Sequence, residues 1–229
     1  MVTRREFLDA LAVGAAGLAV GNTAESYARI VGANDRLNFA VIGLNGRGYA
    51  HLSSLKANRS AARISHVCDV DGNILKKFAD AVQREMGEAP AAEKDFRAIL
   101  ELKDVDAITI ATPDHWHAPM AIAGLQAGKH VYVEKPCSHN PAEGTMLVEA
   151  QQKYGKLVQM GNQQRSSAHS IEIVEKIRGG VIGRPYLAKA WYSNVRKSIG
   201  TGKEAPAPAQ LDWDLWQGPA PRRPYRERV

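Results

Sequence analysis

Short apolar runs alternate with amphipathic stretches along most of the chain. The apolar runs predict buried strands, at Leu37–Gly43, Ala62–Asp69, Asp106–Ala111, His130–Val133 and Leu157–Gly161, with a further short strand or turn at Phe96. The amphipathic stretches predict helices, at Tyr49–Ala57, Gly72–Met86, Arg97–Leu102, Ala118–Ala127 and Pro141–Tyr154. Because strands that alternate with helices form parallel βαβ units, the pattern predicts an α/β fold with a doubly wound parallel sheet.

The pattern changes after Asn162. Ser170–Arg178 predicts a helix and Tyr186–Tyr192 a strand, and a loop with several Gly and Pro then leads to Leu211–Trp216. One helix and one strand bury too little surface to form a core alone. We therefore expect a first domain over residues 34–162, and over residues 163–229 the start of an α+β substrate domain that is incomplete because the chain is C-terminally truncated.

The net charge of +6 is concentrated in the last part of the sequence. Residues 37–183 carry 17 basic and 16 acidic side chains, whereas residues 184–229 carry nine and four. A nucleic-acid-binding protein needs a basic stripe on a folded segment, and no such stripe is present. The charge therefore indicates a solvated terminal segment, and nucleic acid is not an expected partner.

Cysteine and histidine are sparse. Cys68 and Cys137 are the only cysteines, which is too few for a disulfide framework in a chain of this length. His115 and His117 are two positions apart without a third ligand nearby, so the sequence predicts no metal site.

The N-terminus has the features of an export signal. Arg4 and Arg5 precede a mildly apolar run, Leu8–Val20, which is too short to span a bilayer. Paired arginines before a short apolar segment resemble a twin-arginine signal, and a cleavage site fits at Ser26–Ala28. We expect residues 1–33 to be a signal and linker that the twin-arginine machinery exports to the periplasm; the alternative is an ordinary amphipathic helix.

A glycine-rich turn separates the first strand from the first helix. Gly43, Gly46 and Gly48 alternate there with Asn45 and Arg47. This is the place of the phosphate-binding loop in a Rossmann-type, dinucleotide-binding domain. The helix N-terminus would bind the pyrophosphate, although Asn45 stands where a second glycine is usual. A purely structural turn is the alternative.

Asp69 ends the second strand, about 26 positions after Gly43. A carboxylate at that position can accept hydrogen bonds from the adenosine ribose and would repel a 2′-phosphate. The sequence therefore favours NAD as the cofactor, with NADP as the second candidate. The alternative is that Asp69 is a loop residue beside Asp71.

Polar motifs follow the next strands. Thr112, Pro113 and His117 come after the fourth strand, and Glu134 and Lys135 come at the end of the fifth. In open α/β sheets, ligands bind at the carboxyl ends of the strands. A lysine there can serve as an acid, a base or a positioning group for a hydride-transfer site.

The motifs Thr-Pro-x-x-x-His, Ala-Gly-Lys-His-Val and Glu-Lys-Pro together resemble the glucose–fructose oxidoreductase / inositol dehydrogenase (Gfo/Idh/MocA) family. The resemblance runs from Leu37 to Arg228, and the segments Gly161–Arg165 and Asp212–Pro219 are similar to exported bacterial members.

The resemblance implies roles for several residues. Lys135 would be the catalytic residue beside the nicotinamide and the reacting carbon, and the Lys135–Pro136 peptide would be cis. Pro113 and His117 would form a wall of the cofactor site, to which the motifs also assign Thr112 and Glu134. Gln163 and Arg165 would lie near the substrate. A further acidic residue and a histidine would lie beyond Val229, and the substrate-domain sheets of the family often pair in a homo-oligomer.

The predicted function is hydride transfer between NAD(P) and a hydroxyl-bearing carbon of a sugar or polyol. An NAD-dependent glycosidase on the same fold and a non-catalytic nucleotide-binding protein are the alternatives. Because the substrate side is expected to be missing, the chain alone is expected to bind NAD weakly, to aggregate and to show no turnover.

The export hypothesis is tested by replacing Arg4 and Arg5 together with Lys. The paired guanidinium groups define the signal, so the variant precursor should remain in the cytoplasm while the parent is recovered from the periplasm. Fractionation and immunoblotting measure this distribution, and an unchanged distribution would show that Leu8–Val20 is not such a signal.

Overall fold

A single parallel sheet forms the centre of the molecule. The computed structural model describes residues 36–193, 195, 198 and 200–227; the predicted signal, with Arg4, Arg5 and Leu8–Val20, lies outside them. The strands are β1 (Leu37–Ile42), β2 (Ala62–Cys68), β3 (Ala91–Glu93), β4 (Ala107–Ile110), β5 (His130–Glu134) and β6 (Val158–Gly161). Their spatial order is β3-β2-β1-β4-β5-β6, with every neighbouring pair parallel. This is the order of a Rossmann-type sheet, so the predicted fold class is confirmed.

Helices connect the strands and continue beyond them. They are α1 (Arg47–Ala57), α2 (Gly72–Met86), α3 (Phe96–Glu101), α4 (Asp114–Gln126), α5 (Pro141–Tyr154), α6 (Ala168–Arg178) and α7 (Trp213–Gln217). A 3₁₀ turn, Gln163–Ser166, follows β6. In the part of the chain that the structure describes, no helix is long and apolar enough to cross a membrane.

Both faces of the sheet are buried. Val41 of β1 packs with Leu52 and Phe78 from α1 and α2 on one face. Its neighbours Ala40 and Ile42 point the opposite way, into a second cluster built with α3, α4 and α5. Successive side chains of a strand alternate between faces, so a strand covered on both sides is apolar throughout. This explains why the central strands are visible in the sequence as continuous apolar runs.

Two predicted helices agree residue for residue with the structure, because their caps are encoded in the sequence. Asp71 precedes α2, and its side chain accepts hydrogen bonds from the amides of Asn73 and Ile74. Asn140 precedes α5 and accepts from the amide of Glu143. Side-chain acceptors of this kind satisfy amides that the first helical turn leaves unpaired.

Two boundaries differ from the prediction. Phe96 is the first residue of α3 and not part of a strand; the third strand is β3, whose exposed Ala-Ala-Glu sequence carries no apolar signal. Helix α4 begins at Asp114 and not at Ala118, so it contains Pro119 in its second turn. Proline is unfavourable inside a helix, which is why the sequence pattern indicated a later start.

The predicted strand Tyr186–Tyr192 is wrong. These residues adopt no regular secondary structure, and most of their large side chains are exposed, with Tyr186 95% and Trp191 76% accessible. A strand needs a neighbour for its backbone hydrogen bonds, and among the described residues this segment is not part of the sheet. The division of the chain at residue 162 stays a prediction.

A close contact between α4 and the sheet gives a stability test. A Cβ at Gly124 would lie 2.5 Å from Cδ1 of the buried Ile108, whereas a Cβ at Gly144 of α5 would meet only the Ser138 side chain at 3.3 Å. We expect Gly124→Ala to lower the free energy of unfolding by about 1–3 kcal/mol. Gly144→Ala, the matched control, should leave it unchanged or raise it by up to about 1 kcal/mol. Urea denaturation measures both; equal effects would contradict close packing at Gly124.

Candidate functional site

The loop after β1 is held against the loop after β4. Gly43 has a φ of +83°, and a Cβ there would lie 2.5 Å from the carbonyl carbon of Ala111. A Cβ at Gly48 would lie 2.8 Å from the carbonyl oxygen of Gly43. Only glycine fits either position, so the turn described by Gly43 and Gly48 brings the backbone of α1 close to β1. Within the described residues, no side chain caps the N-terminus of α1, which leaves this end of the helix suited to an anion.

Asp69 links this loop to the end of β2. Its Oδ2 accepts a hydrogen bond from the amide of Leu44 at 2.9 Å, and its Oδ1 accepts from the amide of Asp71 at 3.0 Å. Burial raises the pKa of Asp69 above its ordinary value, and the backbone donors only partly oppose this effect. Each carboxylate oxygen can accept a second hydrogen bond, so Asp69 can still receive ribose hydroxyls while it shapes the loop.

A cavity of about 320 Å³ opens where β1, β2 and β4 end. Its lining includes Gly43, Asn45, Asp69, Thr112 and Pro113, five of the predicted cofactor residues. Gly46, Arg47 and Gly48 belong to the same loop and helix but do not line the cavity.

The cavity residues fit a dinucleotide. Among the described residues, the Thr112 hydroxyl is a buried polar group without a hydrogen-bond partner, and buried hydroxyls are normally paired. It lies in the wall of a cavity that also presents the Asp69 carboxylate and an apolar surface. A ligand with a polar sugar and an apolar ring system would satisfy both parts of this surface.

A second cluster surrounds the carboxylate of Glu134, at the end of β5. It accepts hydrogen bonds from Arg47 Nε at 2.9 Å, His51 Nε2 at 3.1 Å and Gln163 Nε2 at 2.9 Å. Glu134 is only 5% exposed, and burying a carboxylate requires such donors. The structure thus brings together three predicted site residues, Arg47, Glu134 and Gln163, but it places them outside the cavity.

His51 is the member of this cluster that the sequence did not reveal. Because a carboxylate only accepts, Nε2 of His51 carries the proton that is donated to Glu134, and Nδ1 then accepts from the Thr109 hydroxyl at 3.1 Å. The Tyr132 ring meets the imidazole edge-on at 5.4 Å between centroids. The only sequence signal was the presence of Thr109 and Tyr132 in otherwise apolar strands.

Charge and burial oppose each other within the cluster. Burial lowers the pKa of His51 below its ordinary value, although the neighbouring Glu134 acts to raise it. Burial also acts to raise the pKa of Glu134, but its hydrogen bonds with His51, Arg47 and Gln163 outweigh burial, so that pKa is lowered. The cluster is therefore a neutral imidazole and an arginine around an ionised carboxylate at neutral pH.

His117 connects the loops that follow β4 and β5. It is 2% exposed, and its ring nitrogens face the carbonyl oxygens of Thr112 at 2.8 Å and Pro136 at 2.5 Å. It does not line the cavity, and its observed contacts hold these two loops together. Its place in the wall of the cofactor site stays a prediction.

The remaining predicted residues lie at the exposed rim. Lys135 is exposed, and the Lys135–Pro136 peptide is cis, as the resemblance implies. Arg165 is exposed in the 3₁₀ turn after β6. Cys68 and Cys137 are free thiols, and within the described segments no group of His, Cys, Asp or Glu could hold a metal ion.

The family follows from a comparison with known sequences. The profile of the Gfo/Idh/MocA proteins, described as an oxidoreductase family with an NAD-binding Rossmann fold, matches residues 37–162. The chain belongs to this family.

Relatives of this Gfo/Idh/MocA member include two kinds of curated enzyme. An inositol 2-dehydrogenase of Rubrobacter xylanophilus is 32% identical over 174 residues, which are 76% of this chain and 48% of that protein. A glycosyl hydrolase family 109 protein of Shewanella baltica is 26% identical over 211 residues, with 83% and 46% covered. The chain spans about half the length of these relatives.

A solved structure of similar fold is that of the WlbA dehydrogenase from Chromobactrium violaceum in complex with NADH and UDP-GlcNAcA. It matches with a TM-score of 0.58 and 27% identity over 66% of this Gfo/Idh/MocA chain and 42% of that one. The site therefore belongs to an NAD-binding oxidoreductase domain.

Acidification should destabilise the fold through His51. As pH falls below about 6.5 the unfolded chain protonates this imidazole, whereas the lowered pKa keeps the folded form neutral. The free energy of unfolding should therefore fall between about pH 7 and pH 5, before Glu134 contributes below about pH 4.5. The slope should be smaller in His51→Gln, whose amide can still donate to Glu134. His139→Gln, an exposed control, should retain the parental slope in urea titrations at each pH, and identical slopes for all three proteins would contradict this account.

Cofactor preference should depend on the Asp69 charge. Asp69→Asn loses the repulsion of a 2′-phosphate, so the ratio of NADP to NAD dissociation constants should fall, even though the disturbed loop weakens both. Asp80→Asn is the control, because this carboxylate of α2 is exposed and does not line the cavity, and its ratio should stay near the parental value. Calorimetric titration with each cofactor measures the ratio; a proportional loss for both cofactors in Asp69→Asn would contradict the charge argument.

Proposed function

We propose that the protein transfers a hydride between NAD and a hydroxyl-bearing carbon of a sugar or polyol. The observation that carries the proposal is the meeting of the glycine turn, Asp69 and the Glu134–Lys135 segment at one edge of the sheet, in a chain of an NAD-binding oxidoreductase family. The names of the inositol dehydrogenase and of the WlbA dehydrogenase complex support a polyol or sugar substrate.

The bound nicotinamide would supply the hydride chemistry, and the chain would position it and manage the proton. Lys135 is the proposed proton-transfer residue, since its side chain follows β5 directly and is exposed at the rim where a substrate can approach. Gln163 and Arg165 are proposed to contact the substrate from the turn after β6. For Gln163 this role adds to its observed hydrogen bond with Glu134.

The Glu134 cluster is proposed to fix the position of the phosphate loop relative to Lys135. Through Arg47 and His51 it holds α1, whose N-terminus belongs to the phosphate loop, and through the chain it precedes Lys135 directly. A shift of Glu134 would therefore move the cofactor loop relative to the proton-transfer residue. Small displacements of this kind lower reaction rates strongly.

NAD is proposed as the preferred cofactor. The Asp69 carboxylate lines the cavity wall next to the phosphate loop, and its charge disfavours the 2′-phosphate of NADP. NADP remains the second candidate.

An NAD-dependent glycosidase is the second proposed function, favoured by the similarity to glycosyl hydrolase family 109 proteins. Such an enzyme would oxidise a sugar with NAD, eliminate the aglycone, add water to the unsaturated product and reduce the keto group with the same NADH, so its reaction has no net release of NADH. A dehydrogenase accumulates NADH in proportion to the oxidised sugar. Absorbance of the nicotinamide during a screen of sugars and aryl glycosides separates the two. A cofactor-binding protein without catalysis would give neither signal.

We also propose export to the periplasm through the twin-arginine pathway, supported by Arg4, Arg5 and the apolar run that follows them. A cofactor enzyme suits this route, since it transports folded proteins. Pairing of substrate domains in a homo-oligomer is proposed from the family resemblance alone.

Lys135→Ala should lower turnover by about a hundredfold or more, since it removes the group that transfers the proton. The affinity for NAD should change little, because the proposed phosphate contacts lie in the loop at residues 43–48. Lys77→Ala, on the exposed surface of α2, is the control and should keep parental turnover. Steady-state kinetics and NAD titration of the complete protein measure both values; near-parental turnover in Lys135→Ala would remove this lysine from the mechanism.

A further inference from the structure

Residues 210–217, here named the strap, cross the carboxyl edge of the sheet. At one end the strap binds the segment that follows β2. Gly72 donates its amide to the carbonyl of Gln210 at 2.9 Å, and Asp212 donates its amide to the carbonyl of Val70 at 3.0 Å. These are backbone hydrogen bonds, so the attachment does not depend on surface side chains.

The other end of the strap binds α4. Trp116 Nε1 donates to the carbonyl of Leu215 at 3.0 Å and lies 3.1 Å from that of Trp216, which His115 Nε2 also approaches at 2.9 Å. Trp213 stacks on Trp216 with 4.7 Å between ring centroids. Since β2 and β4 flank β1, the strap joins the two sides of the cleft in which the phosphate loop lies.

The strap forms part of the cavity wall. Leu211, Leu215 and Trp216 line the same 320 Å³ space as Asp69 and Thr112. Apolar side chains of α2, α3 and α4 also line it, namely Ile74, Phe96 and Met120. The space therefore combines a largely apolar enclosure with a few polar groups: the carboxylates of Asp69, Asp71 and Asp95, the Lys94 ammonium and, within the described residues, the unpaired Thr112 hydroxyl.

This chemistry suits an adenosine and not a free sugar. A purine is a flat apolar ring system that benefits from burial between apolar side chains, and its ribose can donate to Asp69. Lys135, the proposed proton-transfer residue, does not line this cavity. Thus the two halves of a dinucleotide would be separated, with the adenosine half beneath the strap.

We propose that the strap is a component of the cofactor site: Leu211, Leu215 and Trp216 form the outer wall of the adenosine pocket and hold the adenosine diphosphate half of the nucleotide. The inference rests on the proposed function for the identity of the nucleotide. It assigns to residues 210–217 a binding role that the phosphate loop and the Glu134–Lys135 segment do not provide.

Calorimetric titration with ADP tests the wall directly. Leu215→Ala removes apolar contact with the base, and the dissociation constant for ADP should rise by about tenfold. Leu157→Ala is the matched control, because Leu157 is 70% exposed and precedes β6 at the opposite edge of the sheet; its ADP affinity should stay within about twofold of the parent. Equal ADP affinities in these two variants would overturn the proposal, as would a parent that does not bind ADP at millimolar concentration.

A second pair of variants displaces the strap without changing its side chains. A Cβ at Gly218 would lie 2.0 Å from the Trp116 ring, whereas Gly180 also has a positive φ but has no neighbour within 4 Å of its added Cβ. Gly218→Ala should therefore weaken ADP binding by about tenfold or more, while Gly180→Ala should not. Circular dichroism and thermal melting establish that each variant is folded before titration, and a folded Gly218→Ala with parental ADP affinity would count against the strap.

The outcomes separate this inference from the proposed hydride transfer. ADP contains no nicotinamide, so its titration reports on the strap whether or not any sugar is oxidised. Loss of ADP affinity in Leu215→Ala and Gly218→Ala, together with no NADH formation in the substrate screen, would support the strap and reject the dehydrogenase. Parental ADP affinity in both variants, together with NADH formation in the substrate screen, would reject the role of the strap and support the dehydrogenase.

Discussion

A buried carboxylate that must be paired determines how the parts of this site are joined. Glu134 ends a central strand and is almost fully enclosed, so its charge is stable there only with nearby donors. The donors come from α1 and from the turn after β6. The carboxylate thereby connects the helix that starts at the phosphate loop with the segment that leads to Lys135. Loss of any of these donors would leave part of the buried Glu134 charge without a hydrogen bond.

Asp69, at the end of β2, likewise combines two roles in one residue. It would be simplest to regard it as a ribose ligand only, but its oxygens already hold the amides of Leu44 and Asp71. The residue that would select the cofactor is therefore also the one that gives the loop its shape. A substitution there changes both properties, and an experiment on cofactor choice has to compare ratios of affinities and not single values.

Much of the fold could be predicted from the sequence because both faces of the central strands are covered. The alternation of apolar runs with amphipathic stretches indicated five strands, and the bounds predicted for α2 and α5 agree with the structure to the residue. The sequence pattern failed where packing and not local preference decides: β3 is too short and too exposed to leave a signal, and Pro119 obscured the first turn of α4. Tyr186–Tyr192 has the composition of a strand but adopts no regular secondary structure.

The sequence motifs predicted which residues belong to the candidate site, but they did not predict the hydrogen bonds between those residues. The glycine turn, Asp69, and the residues that follow β4 and β5 can be read from their positions at strand ends. The contact of Glu134 with His51 joins residues 83 positions apart, and no local pattern encodes it.

The strap lies late in the sequence, and this position affects the order in which the pocket forms. Its contact with Trp116 joins residues 99 positions apart in the chain, and all six strands of the sheet precede it. During synthesis the sheet can therefore form before the strap leaves the ribosome, since domains generally fold from their N-terminal part onward. The cleft at the carboxyl edge can therefore form early, whereas its outer wall is added last by closing a long loop, so we expect this contact to be a late step of folding.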